Sequence, residues 1–386
     1  MVAIESWIKG VAAQPQVHAF LDVVYRIVMP PFLQSRERVR ATSFGMFALA
    51  DVERIAQTFV WFVLITMLIY TLSLRWFGKP GLQRYSYQHP IREPDEKFSL
   101  LGGLKYAMPK SFYKHPSFKI DMIWLPFGLI LNFLGLLGIT LGAGVVQGWL
   151  LHRFGPSVIS LPVGAFAITL QVIIILLARD FGRFMWHYQG HSIPFFWEFH
   201  KGHHSAEVLH PFGVRTHPVD MFIRNTYLGA GGAVMSGILI YLLGMQFSVT
   251  AGSVVATIIA VSGTFEHFEH SHVRLSFGKT LDRYFYAPYM HHFHHGARPE
   301  HMNVNLGITG GLILWDHLFG TLYRPKAGEQ VVWGASMEEL GENNPHRTLW
   351  GFFSGPFIEA FRTLKRPSQQ HASPDINPTS RSGAAA

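Results

Sequence analysis

Histidine is concentrated in three short motifs of this 386-residue chain. They read HYQGH from His187, HKGHH from His200 and HHFHH from His291, and a related segment, EHFEHSH, begins at Glu266. Side chains three or four positions apart lie on one face of a helix. Each motif therefore predicts a helix that presents two or three imidazoles on one side. Imidazole is a ligand of zinc, copper, iron and nickel, so we expect these helices to converge on metal.

The number of donors predicts two metal ions rather than one. The motifs supply eight or more imidazoles, whereas a zinc site usually takes four ligands. The chain contains no cysteine, which excludes thiolate sites and disulfides and leaves histidine, aspartate and glutamate as ligands. Neutral imidazoles leave the positive charge of a metal intact, which suits the binding of dioxygen. Iron is favoured for that reason, and ligand type alone leaves zinc open.

Five long apolar segments predict that the motifs sit on an all-α, multi-pass transmembrane helix bundle. A run of about 20 apolar residues spans a bilayer as a helix, and the candidate spans are 58–74, 122–151, 158–178, 226–245 and 247–265. Basic residues gather in the loop 79–119, and such loops stay in the cytoplasm. The resulting topology places every histidine motif in one cytoplasmic, histidine-rich helical cap that holds the dimetal site. The net charge of +8 therefore indicates membrane orientation, and no nucleic-acid-binding motif is present.

The chain divides into five predicted regions. Residues 1–57 form an N-terminal interfacial or helical segment, whose side of the membrane is left open and which shows no cleaved signal peptide. Residues 58–157 hold the first spans and the basic loop, and residues 158–325 hold the catalytic domain. Residues 326–365 form a C-terminal cap with an amphipathic helix that either rests on the membrane or packs on the cap. Residues 366–386 have the composition of a disordered tail.

The motifs and their flanks resemble the fatty acid hydroxylase/sterol desaturase superfamily. The three boxes H-x-x-x-H, H-x-x-H-H and H-x-x-H-H occur in the family's order around membrane spans. The flanking segments WEFHKGHHSAE, EHSHVRL and WDHLFGTLYRP are also similar to family segments. The resemblance covers roughly residues 158–324. It implies membrane-bound enzymes that hold two iron ions and use O2.

The resemblance also implies which residues bind the two metals. The implied ligands are His187, His191, His200, His203, His204, His270, His291, His294 and His295. Possible further ligands or residues that support them are His267, His272, His217, Asp180 and Glu269. Seven carboxylates lie near the boxes and are able to accept the second N–H of a ligand: Asp180, Glu198, Glu207, Asp220, Glu266, Glu269 and Asp316. We expect Asp180 and Glu269 to do so, since they are close to the boxes in sequence.

The implied activity is O2-dependent hydroxylation or desaturation at a C–H bond of a fatty acyl, sterol or related lipid. The chain carries no flavin or nicotinamide fingerprint, so electrons are expected from an external donor, a ferredoxin or a cytochrome with its reductase. The expected location is the bacterial inner membrane or the endoplasmic reticulum. Two alternatives from other classes are a histidine-rich metal transporter, whose ligands would lie near the membrane midplane, and a zinc-dependent hydrolase, whose H-E-x-x-H motif the chain lacks.

Overall fold

A computed structural model describes residues 59–70, 99–133, 138–139, 141–213, 215–326, 329 and 331–365. Within these residues the chain forms helices, turns and loops and contains no β-strand; two isolated bridges pair Phe285 with Leu312 and Gly296 with Trp333. The predicted helical class is thus confirmed for the described part. The expectations for residues 1–57, for the basic residues of 79–97 and for the tail 366–386 concern segments outside it.

The helices differ widely in length. In chain order they are α1 (Phe59–Tyr70), α2 (Leu100–Ala107), α3 (Lys110–Lys114), α4 (Pro116–Phe133), α5 (Ala143–Phe154), α6 (Ala165–Ser192), α7 (Pro194–His204), α8 (Pro218–Thr226), α9 (Gly232–Leu242), α10 (Val249–Glu269), α11 (Pro288–His294), α12 (Leu314–Phe319), α13 (Leu349–Phe353) and α14 (Gly355–Lys365). A single π-helical turn, Tyr227–Gly231, joins α8 to α9.

Two helices of the described part, α6 and α10, are long and apolar enough to cross a membrane. Their most apolar windows are only 28% and 12% buried inside the protein. A core helix of a soluble protein would be hydrophobic and buried, whereas these helices turn large apolar side chains outward, such as Phe166, Ile173 and Val261. Length, composition and exposure therefore agree with a lipid environment for both helices.

The predicted second span, 122–151, is not one helix. Helix α4 ends at Phe133 and α5 begins at Ala143. Between them Gly138 has a φ of +143°, a conformation that side-chain-bearing residues rarely adopt. An ideal Cβ at Gly138 would also lie 2.4 Å from Cβ of Asn225. The long apolar run therefore folds as two shorter helices, with Gly138 at its close contact with α8 between them.

Helices α5, α6 and α9 form an apolar core through residues such as Ala143, Ile174 and Ile240. At the crossing of α5 and α9 the backbones approach closely at Gly237. An ideal Cβ there would lie 2.6 Å from Val146 Cβ and 2.7 Å from Ala143 O. The small residues of the segment 226–245 thus allow close helix packing, as they do in membrane helix pairs.

Three short helices near the histidine motifs begin with proline at the first helical position. These are Pro194 of α7, Pro218 of α8 and Pro288 of α11. Proline is favoured there because its missing N–H would have no partner within the helix and its φ is already helical. The starting point of each short helix, and hence the direction of its histidines, is fixed locally.

The C-terminal helices pack on the histidine-bearing part of the protein. Phe357 of α14 lies against Phe199 of α7, with ring centroids 5.2 Å apart. The opposite side of these helices remains exposed, with Trp350 75%, Phe361 58% and Leu364 62% accessible. Packing on the cap and resting on the membrane, the two arrangements expected for the amphipathic helix of 326–365, are therefore compatible. One face of the C-terminal helices packs on the protein, and the other is exposed and apolar.

Candidate metal centre

Nine buried histidines form two groups whose potential ligand atoms lie within 4.8 Å of one another in each group. The five-histidine group consists of His187, His191, His200, His204 and His294, and the four-histidine group of His203, His270, His291 and His295. These are the nine histidines that the family resemblance implies as ligands. Residues that span more than 100 positions of the sequence thus meet in one place.

The two groups share helices α7 and α11. The C-terminal part of α6 supplies His187 and His191 to the five-histidine group. Helix α7 contributes to both groups, because His204 belongs to the five-histidine group and its neighbour His203 to the four-histidine group. The rings of His204 and His295 stack with centroids 4.4 Å apart, so the two groups are in direct contact. The arrangement is that of a paired site rather than two separate ones.

Hydrogen bonds fix the ring orientation of five of these histidines through Nδ1. The acceptors are Leu306 O for His187 (2.7 Å), Asn303 Oδ1 for His191 (3.1 Å), Asp220 Oδ2 for His200 (2.8 Å), Arg215 O for His203 (3.1 Å) and Val304 O for His294 (2.9 Å). A carbonyl oxygen only accepts, so Nδ1 carries the proton and Nε2 presents its lone pair. This is the tautomer that a metal requires when Nε2 is the ligand.

The Nε2 atoms lack the partners that buried nitrogen normally has. Those of His187, His191 and His294 are buried without any hydrogen-bond partner. In the four-histidine group, Nε2 of His270 lies 3.2 Å from Nε2 of His203, of His291 and of His295. The few protons available cannot satisfy all of these converging lone pairs. A cation satisfies them together, so the residues present fit a metal ion in each group.

The charge state of these histidines also suits metal binding. Burial lowers the pKa of His203, His204, His291 and His295 well below the usual 6.5, and neighbouring histidines lower it further. Burial is also the main reason that the pKa of His270 and of His294 falls to about 3. These imidazoles are therefore neutral at pH 7, and their lone pairs are available.

Comparison with known proteins gives matches over the part of the chain that holds the histidines. The family model for fatty acid hydroxylase matches residues 172–321, a segment that contains all nine histidines. This part of the chain belongs to the fatty acid hydroxylase superfamily.

Two curated relatives match about the same length of chain. The ornithine lipid hydroxylase OlsE of Rhizobium tropici is 30% identical over 156 residues, which is 40% of this chain and 42% of that protein. The alkylglycerol monooxygenase of Xenopus tropicalis is 27% identical over 161 residues, which is 42% of this chain and 32% of that protein. The chain thus spans less than half the length of either relative. No solved structure matches the chain.

The other candidate histidines of the hydroxylase region lie outside both groups. Nδ1 of His267 lies 3.2 Å from Pro211 O, and Nε2 of His272 donates to Tyr106 O (2.5 Å). His217 caps α8, since its Nδ1 accepts from Val219 N (3.2 Å), and its Nε2 donates to Phe353 O (3.1 Å). The structure thus gives His217 and His272 contacts with the backbone rather than a place among the nine.

The two carboxylates expected to support ligands contact other groups. Asp180 accepts from Leu312 N and Trp315 Nε1, each at 2.9 Å, and Glu269 accepts from Thr309 N. Both stabilise the loop 308–315 instead of holding an imidazole. Asp220, which sequence proximity did not favour, does contact a ligand candidate, since it accepts from His200 Nδ1 and Trp186 Nε1, both at 2.8 Å.

Sequence reasoning also missed the loop 303–306, which supplies three of the five Nδ1 acceptors. Asn303 and Asn305 have φ of +54° and +53°. Asparagine adopts this left-handed conformation more readily than most residues. With the backbone in this conformation, Asn303 Oδ1, Val304 O and Leu306 O accept hydrogen bonds from His191, His294 and His187, respectively. The repeated asparagines of MNVNLG were the available signal.

A small cavity of about 110 Å³ adjoins the histidines. His187, His203, His270 and His291 lie on its wall, and so members of both groups border the same space. The remaining wall combines apolar residues such as Trp186 and Ile308 with four charged residues, Arg183, Arg224, Glu266 and Glu269. A molecule in this cavity would lie directly beside the candidate metal ligands.

Proposed function

We propose that the protein is a membrane-bound, O2-dependent lipid hydroxylase with two iron ions held by the nine histidines. The observation that carries the proposal is the convergence of nine buried imidazoles into two touching groups within a fatty acid hydroxylase region. Both curated relatives are named for oxygen insertion into lipids. Desaturation of a lipid is the alternative reaction, since the same set of ligands is compatible with hydroxylation and with desaturation.

The histidines would divide into five ligands for one ion and four for the other, with His203 and His204 on different ions. Bound iron supplies the activation of O2, which the side chains alone do not provide. The chain's own groups orient five of the ligands: Asp220, Asn303 Oδ1 and the backbone carbonyls of Arg215, Val304 and Leu306 keep Nδ1 of these five protonated and their Nε2 directed inward. Burial of all nine rings limits water around the reacting groups.

Hydroxylation places one oxygen atom of O2 in the product and reduces the other to water, so it consumes two electrons and two protons. We propose that a ferredoxin, or a cytochrome with its reductase, supplies the electrons. We also propose that the protein is multi-pass, with α6 and α10 among its spans and the histidines on the cytoplasmic face. In support, His187 and His191 lie near the C-terminal end of α6, and His270 directly follows α10. Ligands at helix ends argue against a transport site at the midplane.

The experiment is lipid analysis of cells that express the full chain, with ¹⁸O2 as the oxygen source. A lipid that gains one labelled oxygen supports hydroxylation, and a loss of two hydrogens indicates desaturation. His294→Ala is expected to abolish the product, while His317→Ala, which alters an exposed histidine outside both groups, is expected to retain it. A product that persists in His294→Ala, or a hydroxylated product without the label, would contradict the proposal.

A further inference from the structure

The wall of the cavity beside the histidines carries two arginines and two glutamates, which is unusual next to apolar helices. Arg183 and Glu266 pair with each other, with Nη2 2.9 Å from Oε1. Glu269 accepts a hydrogen bond from Thr309 N. These contacts leave two groups of the wall with capacity to bind a ligand, the guanidinium of Arg224 and the second carboxylate oxygen of Glu266.

Arg224 is held in place without using its main donors. Its guanidinium lies over the ring of Trp186, 5.9 Å from the centroid, and its Nε donates to Asn225 Oδ1 at 3.3 Å. Within the described part of the chain no acceptor takes its Nη groups. Planar guanidinium donors match a carboxylate or phosphate. The free edge of Arg224 therefore favours an anionic group in the cavity.

The local backbone brings Arg224 to this position. Helix α8 continues into the π-helical turn Tyr227–Gly231, a feature that is frequent at functional sites. An ideal Cβ at Gly182 of α6 would lie only 3.0 Å from Tyr227 O, so the glycine permits the turn to approach α6 closely. The hydroxyl of Tyr227 donates to Gln189 Oε1 (2.5 Å) and fixes the contact.

Glu266 offers the complementary charge. Only its Oε1 is engaged by Arg183, and within the described residues no donor takes Oε2. A purely anionic ligand in this cavity would pair with Arg224 and leave Oε2 of Glu266 without a partner. A group that carries both an anion and an ammonium satisfies Arg224 and Glu266 at once.

We propose that this cavity binds the polar head of a zwitterionic amphiphile, with its anionic group on Arg224 and its ammonium group on Glu266. The proposal rests on the proposed function and names its substrate class. A space of about 110 Å³ holds a few non-hydrogen atoms, so it fits the head group and leaves the acyl chain outside. Because four candidate ligands share the wall, the oxidised carbon would lie close to the head rather than at the end of the chain.

The test is a binding measurement on the iron-loaded full chain in nonionic detergent, by titration calorimetry. The probes are α-aminotetradecanoic acid, tetradecanoic acid, tetradecylamine and tetradecanol, which share a chain and differ only in head charge. The zwitterion is expected to bind about tenfold or more tightly than each of the others, since hydrogen bonds to charged groups contribute about 1.5–3 kcal/mol, or roughly 10- to 100-fold.

Two substitutions separate the contributions of Arg224 and Glu266 to probe binding. Arg224→Gln is expected to weaken the zwitterion and the acid on the order of 10- to 100-fold and to leave the amine unchanged. Glu266→Gln, which keeps an acceptor for Arg183, is expected to weaken the zwitterion and the amine but not the acid. Arg153→Gln, at an exposed arginine outside the cavity, is the matched control and is expected to change none of them.

Three results would overturn the proposal: no preference of the wild type for the zwitterion, equal weakening of all probes by Arg224→Gln, or unchanged binding in both variants. Should Arg224→Gln fail to fold, Arg224→Lys keeps the charge but loses the planar fork and is expected to weaken the acid and the zwitterion by a smaller factor. Binding is measured without turnover, so a failure of head-group recognition is distinct from a failure of lipid oxidation.

Discussion

Asp220 is the carboxylate whose removal should affect the proposed metal site most directly. It is 3% exposed and accepts two hydrogen bonds of 2.8 Å, from His200 Nδ1 and from Trp186 Nε1. In Asp220→Ala both donors lose their acceptor inside the protein. An unsatisfied buried donor costs about 1–3 kcal/mol, so the free energy of unfolding is expected to fall by roughly 2–6 kcal/mol.

Asp220→Asn is the more informative change, because it keeps the volume of the side chain. Its single oxygen still accepts from one donor, and its amide group faces the other. We therefore expect a loss of about 1–3 kcal/mol of stability. His200 also loses the carboxylate that orients its ring, and loss of such a partner typically lowers metal affinity about 10- to 100-fold.

The assay combines thermal unfolding in detergent with metal content after dialysis against a weak chelator. Asp282→Asn is the matched control, because Asp282 is 7% exposed and also accepts two hydrogen bonds, from Ser276 Oγ and Phe277 N, away from the histidines. Both variants are expected to lose stability, but only Asp220→Asn should lose metal. Wild-type metal affinity in Asp220→Asn would refute the role assigned to this carboxylate.

Two further predictions concern acid stability and helix packing. Burial is the main reason that the pKa of His346 falls to about 3, so between pH 3 and about 6.5 the unfolded chain binds a proton that the folded protein does not. His346 therefore leaves the free energy of unfolding unchanged above pH 6.5. Below pH 6.5 it lowers the free energy of unfolding by up to about 1.4 kcal/mol per pH unit. His346→Phe should make the decline measured by denaturant unfolding shallower, and an unchanged slope would contradict the assignment. Gly237→Ala is expected to destabilise the α5–α9 crossing by about 1–3 kcal/mol through overpacking, which lowers the melting temperature. Gly148→Ala is the control and should have little effect on the melting temperature, because no atom lies within 4 Å of its ideal Cβ. Equal effects of the two substitutions would show that the close approach at Gly237 is unimportant.

The histidine clusters were predictable from sequence because spacing of three or four residues is a local property of a helix. The assignment of His203 and His204 to different groups was not, because it depends on how α7 is rotated against α11. Most of the hydrogen-bond acceptors of the histidine Nδ1 atoms could not be predicted from the sequence either. Arg215 O, Val304 O and Leu306 O are backbone atoms, which residue types do not distinguish.

Distance along the chain misled the choice of supporting carboxylates. Asp180 is seven positions from His187, which is two turns or about 10 Å along α6, and at that distance it meets Trp315 instead of the imidazole. Asp220 is twenty positions from His200, yet the loop between α7 and α8 returns it to the ring. The apolar run 122–151 misled in a similar way, because hydropathy does not register a backbone position such as Gly138, whose positive φ is not helical.

Metal content of the anaerobically purified and iron-reconstituted chain tests the central claim most directly. With two groups of histidines, about two ions per chain are expected in the wild type. His203→Ala and His204→Ala, although adjacent in sequence, should each retain about one ion, at different sites. One ion or none in the wild type, or two ions in both variants, would contradict the paired metal centre.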